Sequence, residues 1–99
     1  MVHIKEVQDR AWKNKVRANL TGGILYEFNL TYGELSEAFD AWRKNPSKLG
    51  SELADVLIYL TSIAQMSDID LDEEVLQKLA ENESRTYSMN EFGHLEKDN

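Results

Sequence analysis

The feature that most restricts the fold is an apolar stripe in the second quarter of the chain. Leu25, Phe28, Tyr32, Leu35, Phe39 and Trp42 follow one another in steps of three and four residues. A half-buried strand would repeat every two residues, so this spacing defines an amphipathic helix from about Ile24 to Arg43. Gly22-Gly23 breaks the chain before it, and Lys44-Asn45-Pro46-Ser47 breaks it after. Asn45 suits an N-cap, and Pro46 suits a first helical position, where its missing N–H costs nothing. A further helix therefore starts at once and runs to about Met66, with Leu53, Val56, Leu57, Leu60, Ile63 and Ala64 on one face. So short a connection makes the two helices an antiparallel hairpin.

Two more helices flank this hairpin. The first spans about Ile4 to Arg17, with Val7, Ala11 and Trp12 on its apolar side. Asp70, with Glu73 three residues on, resembles a capping box and opens the last helix. That helix carries Leu71, Val75, Leu76 and Leu79 and reaches about Tyr87. Residues 88–99 are polar and weakly patterned and read as a flexible tail, leaving 1–87 as one helical domain. The expected fold class is all-α, a four-helix core around an antiparallel central hairpin. One proline and five glycines in 99 residues agree with it. A chain this short buries only roughly 60–65% of its unfolded surface, which is compatible with either a marginally stable monomer or an oligomer. Helix two bears on the choice: Leu30, Ala38 and Ala41 lie off the main stripe beside Glu34 and Glu37, so it has more than one packing partner.

Composition narrows the function. The net charge of −7 repels a nucleic-acid backbone, which argues against a polymeric nucleic acid as partner. With no cysteine, disulfides and thiolate metal sites are excluded. No apolar run approaches the roughly 20 residues that span a bilayer. Met1-Val2-His3-Ile4-Lys5-Glu6 lacks the apolar stretch of a secretory signal, so a cytoplasmic location is expected.

The chemistry lies in four acids. Glu34 and Glu37 are spaced i, i+3 on the second helix, and Glu52 and Asp55 are spaced i, i+3 on the third. Each pair projects from one helix face. Glu34 pairs with Asp55, and Glu37 with Glu52, about one common midpoint between Lys44 and Asn45, inside the expected turn. Residues placed so in an antiparallel hairpin stand level, and four carboxylates converge. Like charges raise one another's pKa and destabilise a fold unless a cation joins them. Mg²⁺, with Mn²⁺ as a substitute, takes oxygen donors from a few carboxylates, waters and phosphate oxygens.

At this point a resemblance enters. Glu34-x-x-Glu37, fourteen residues and Glu52-x-x-Asp55 resemble the signature of the MazG-like all-α nucleotide pyrophosphohydrolases. The flanking segments Gly33–Arg43 and Glu52–Leu60 are similar to the family as well, and so is Lys78-Leu79-Ala80-Glu81-Asn82. The likeness covers roughly residues 10–87. Two details depart from it: Gly33 precedes Glu34 where the family often has another glutamate, and Thr86 separates Arg85 from Tyr87. The resemblance implies Glu34, Glu37, Glu52 and Asp55 as Mg²⁺ ligands and catalytic residues. It implies hydrolysis of a nucleoside triphosphate between the α- and β-phosphates, giving a monophosphate and pyrophosphate. Lys78 would neutralise phosphate charge, Asn82 would hydrogen-bond the substrate, and Lys15 is a further phosphate-binding candidate. A homodimer or homotetramer is implied too, with helices of two chains completing each site.

Other residues have plainer readings. Phe28 and Phe39 continue the stripe and read as core; Trp42 and Trp12 could stack on a nucleobase, although Trp42 also continues the stripe and reads first as core or interface packing. Tyr59 shares a face with Glu52 and Asp55 and can edge the site. Glu27, one heptad before Glu34, reads as a solvated surface acid, His3 and His94 as surface residues, and Asn19 as a cap or turn residue. A di-iron carboxylate protein would require Glu-x-x-His, which the chain lacks. A non-catalytic acidic interaction module is the alternative from outside enzymology, and it leaves the register of the four acids unexplained.

Overall fold

The structure, a computed structural model, describes residues 3–18, 22–85 and 87–97. Helix α1 is Ile4–Arg17, α2 is Ile24–Lys44, α3 is Leu49–Met66 and α4 is Leu71–Glu83. Strands β1 (Tyr87–Met89) and β2 (Leu95–Lys97) follow. Asn19 lies outside the described residues. No helix among the described residues is long and apolar enough to cross a membrane.

The α2–α3 hairpin is the centre of the molecule. The expected helix start at Pro46 is corrected, because α3 begins only at Leu49. Asn45 N–H donates the last helical bond of α2, to the Ala41 carbonyl at 2.8 Å, and its own backbone, at φ −151° and ψ 72°, leaves the helix. Its side chain accepts from the Ser47 hydroxyl at 2.8 Å instead of capping a helix amide. Pro46–Lys48 then form one 3₁₀ turn before α3 begins. The N-terminus of α4 follows the expected pattern, with the Asp70 carboxylate accepting from Glu73 N–H at 3.3 Å.

Two further expectations are corrected. Helix α4 stops at Glu83, not Tyr87: the Ser84 hydroxyl donates to the Glu81 carbonyl at 2.8 Å, an alternative to continued helical bonding. The tail beyond it contains an antiparallel hairpin, with Tyr87 opposite Lys97, Ser88 opposite Glu96 and Met89 opposite Leu95. The Asn90 side-chain oxygen accepts from Phe92 N–H at 3.0 Å and His94 N–H at 2.9 Å. Gly93 supplies the left-handed backbone, at φ 79°, that such a turn requires.

The larger correction concerns which side of α2 faces inward. Glu27 and Ala38 are buried, and Leu30, Thr31, Glu34 and Ala41 are half-buried; these also recur at three- and four-residue steps. That face meets the rest of the chain. The apolar stripe faces outward: Phe39 is 55% and Trp42 61% exposed, and Phe28 is also exposed, so Phe28 and Phe39 are not core within one chain and of the two packing readings of Trp42 only the interface one is left. The inner face has Thr31, Ala38 and Ala41 among its residues and no aromatic side chain. The bulky stripe is left for another surface.

Helix α1 packs on α3, and α4 packs on α1. A buried glutamine joins these elements. Gln8 Nε2 donates to Gln65 Oε1 and to the Ile69 carbonyl, both at 2.9 Å, while its Oε1 accepts from Leu71 N–H at 3.4 Å. Gln8 is 1% exposed, so water cannot replace these partners. Gln8→Leu is expected to cost about 2–3 kcal/mol and lower Tm by roughly 10–20 °C in a thermal melt. An unchanged Tm would mean that the α3–α4 connection is held in some other way.

Candidate functional site

Helices α2 and α3 bring three of the four acids together. One carboxylate oxygen from each of Glu34, Glu37 and Glu52 lies within 4.8 Å of the other two. Glu34 and Glu52 are half-buried and Glu37 is exposed, so the cluster opens outward from a partly desolvated floor. Asp55 lies outside that mutual distance, yet its charge reaches Glu34. The Glu34 carboxyl is held above its ordinary value of 4.5, first by desolvation and then by the charges of Glu37 and Asp55, a hydrogen bond with Glu37 and the charge of Glu52.

This shift has a consequence for stability. A folded-state value above the unfolded one means that the folded chain binds more protons in the interval between them. Stability is then greater on the acid side and declines as pH rises through the interval that begins near 4.5. In metal-free protein, the Tm of wild type relative to Glu34→Gln is expected to fall as pH is raised through this window. A difference independent of pH would show that Glu34 titrates alike in both states.

A second charged arrangement lies beside the cluster. Lys15 Nζ and Glu27 Oε2 are 2.5 Å apart, with side chains 11% and 1% exposed. Glu27 is thus a buried, paired acid and not a solvated one. It sits on the inner face of α2, one heptad before Glu34, where the nearby cation offsets its loss of hydration. Lys15 Nζ also lies 4.6 Å from the centre of the Tyr59 ring. The Tyr59 hydroxyl is pushed above its usual value of 10.0, first by burial and then by the charges of Glu34, Glu27 and Asp55. Tyr59 therefore stands between the acid cluster and the Lys15–Glu27 pair.

Tyr59 also forms part of a cavity of about 650 Å³ between α1 and α3, lined by Val7, Arg10, Ala11, Asn14, Lys15, Ile58 and Tyr59. Its walls are mainly apolar with a few polar groups, the usual make-up of a small-molecule site. Arg10 and Asn14 were not legible as cavity residues, because their neighbours on α3 are distant in sequence. The remaining candidates are on α4, each bonded to a residue close in sequence: Lys78 pairs with Glu81 at 3.2 Å, and the Asn82 side-chain oxygen accepts from Arg85, just past the helix, at 2.7 Å.

A helical hairpin with clustered carboxylates beside an apolar cavity defines the carboxylate-bearing all-α class. Comparison with known proteins makes this specific. Residues 28–86, more than half the chain, match the model of the MazG nucleotide pyrophosphohydrolase domain. The chain belongs to this family and is a nucleotide pyrophosphohydrolase. Among solved structures it is similar to the cyanophage S-2L MazG-like pyrophosphohydrolase, determined with dGDP and three catalytic Mn²⁺ ions per active site. That likeness has a TM-score of 0.68 at 21% identity and covers 100% of both chains, so it speaks to the fold. No curated protein matches the chain.

Proposed function

We propose that the protein hydrolyses nucleoside or deoxynucleoside triphosphates between the α- and β-phosphates, using Mg²⁺ and releasing a monophosphate and pyrophosphate. The observation that carries this reading is the triad of Glu34, Glu37 and Glu52 oxygens within 4.8 Å of one another in a chain of this family. The donor set fits a hard divalent cation: all oxygen, clustered, and with the Glu34 carboxyl raised first by desolvation and then by its acidic neighbours. Glu34, Glu37, Glu52 and Asp55 would hold the metal, and Mn²⁺ can replace Mg²⁺. The S-2L enzyme, bound to dGDP and Mn²⁺, supports both the nucleotide and the type of ion. When bound, the cation neutralises the cluster, holds phosphate oxygens and lowers the pKa of an attacking water.

The chain's own groups do the rest. The carboxylates orient the water toward the α-phosphorus. The cavity between α1 and α3 receives the nucleoside end, since Tyr59 is common to the cavity and to the field of the acids. Lys78 neutralises phosphate charge and Asn82 hydrogen-bonds the substrate, each exchanging its present partner, Glu81 or Arg85, for it. Lys78→Met is expected to raise KM by roughly 10–100-fold, the loss of one charged hydrogen bond. A KM within a factor of about two of wild type would remove Lys78 from the site.

The working form is a homodimer or homotetramer. An outward stripe along a 21-residue helix, containing Tyr32, Phe39 and Trp42, is support for it.

The test is a phosphate-release assay over the NTPs and dNTPs with Mg²⁺, run with and without added inorganic pyrophosphatase. Phosphate that appears only with the coupling enzyme identifies α–β cleavage. Phosphate without it, or none under either condition, would sink the reading.

A further inference from the structure

The Lys15–Glu27 pair is not needed to build the acid cluster, yet it is the most buried ion pair among the described residues. It is also placed oddly for a phosphate ligand. The charge of Lys15 is balanced at 2.5 Å by Glu27, so an incoming phosphate would meet a pair with no net charge and a carboxylate directly behind it. A phosphate gains little from such a pair, whereas a dipolar acceptor is not repelled. An ammonium has three N–H donors and no acceptor. One donor is engaged by Glu27, and the group rests over the Tyr59 ring while lining the cavity. Its position is held from two sides, by the Glu27 carboxylate and by the aromatic face. The cavity wall around it is otherwise Val7, Ala11, Ile58 and Tyr59, with two further polar groups, the Asn14 amide and the Arg10 guanidinium, which is itself exposed and paired with Glu6 at 3.6 Å. Flat apolar walls with a fixed donor suit the edge of a nucleobase.

We infer that Lys15 is a specificity-determining donor to an uncharged acceptor on the base of the bound nucleotide, with Glu27 as the positioning residue that neutralises and fixes it. The inference rests on the pyrophosphohydrolase reading and adds to it the group that selects the base. A buried donor whose site is built to be satisfied discriminates strongly against a base that offers no acceptor at that point.

The first experiment uses the wild-type protein with ¹³C-labelled lysine and follows the Lys15 side-chain resonance. The probes are deoxynucleoside monophosphates and, separately, inorganic pyrophosphate with Mg²⁺. Lys15 is expected to respond to at least one monophosphate and not to pyrophosphate. A response to pyrophosphate of equal size, or none to any monophosphate, overturns the inference. The second experiment removes both charges together, Lys15→Met with Glu27→Gln, to avoid stranding one buried charge. In this double variant the kcat/KM ratio between the best and worst dNTP is expected to shrink by about tenfold or more, while inhibition by pyrophosphate changes less than about threefold. Weaker pyrophosphate inhibition with the base ranking intact would make Lys15 a phosphate ligand. A folded variant unchanged in both would make the pair a brace between helices. If the variant does not fold, the resonance experiment decides. Wild-type protein that turns over no triphosphate contradicts the function itself, whereas turnover with a silent Lys15 contradicts only this assignment.

Discussion

Glu52→Gln is expected to reduce triphosphate hydrolysis by roughly 10³-fold or more, because loss of a ligand forfeits several kcal/mol of charge stabilisation in the transition state. The Tm of the metal-free variant should not fall. Glu52 is half-buried among like charges and contributes to the raised pKa of Glu34, so a neutral amide of similar shape relieves repulsion. This separation of activity from stability distinguishes a working carboxylate from a structural one. Glu37→Gln and Asp55→Asn should behave alike, with Asp55 informative because it stands outside the closest triad. The measurements are the coupled phosphate assay, a thermal melt and calorimetric titration with Mg²⁺. Turnover within about tenfold of wild type in all three variants would end the metal-site assignment.

The second large effect is on assembly. Wild-type protein is expected to sediment as a dimer or tetramer, and the variant Tyr32→Glu with Trp42→Glu as an 11.4 kDa monomer. Both side chains are well exposed within one chain, 69% and 61%, so their replacement disturbs its internal packing little. In an assembly each glutamate would be buried without a partner, a large penalty. Phe39 and Trp42 stack with ring centres 6.0 Å apart, making a broad apolar face. Analytical ultracentrifugation at micromolar concentration gives the answer directly. A wild-type monomer, or a double variant that stays assembled, would exclude this stripe as the contact.

These two predictions draw on opposite faces of the same helix, and the faces differed in how readable they were. The bounds of α1 follow from local signals, and α2 begins at Ile24 after Gly22-Gly23 and ends one residue past the expected Arg43. The clustering of Glu34, Glu37 and Glu52 follows from helical spacing and a short turn, both of which are local. The acids were therefore found before any contact was known. The Asn90–Gly93 turn was also local but went unread, because its side-chain acceptor sits in a segment without periodic apolar residues. The sequence does not join Glu27 to Lys15. Twelve residues and a chain reversal separate them, and nothing in either neighbourhood marks a buried pair.

The sequence by itself determined four helices, the place of the α2–α3 turn and the meeting of Glu34, Glu37 and Glu52, because the 3.6-residue period and turn chemistry act over a few residues at a time. Only the tertiary structure decided which side of α2 turns inward. Periodicity says which residues share a face, but α2 has two such faces, and the bulkier and more apolar one lies outside. Close packing of the hairpin and α1 selected the face without aromatic side chains, and with it buried Glu27 against Lys15 beside the acid cluster.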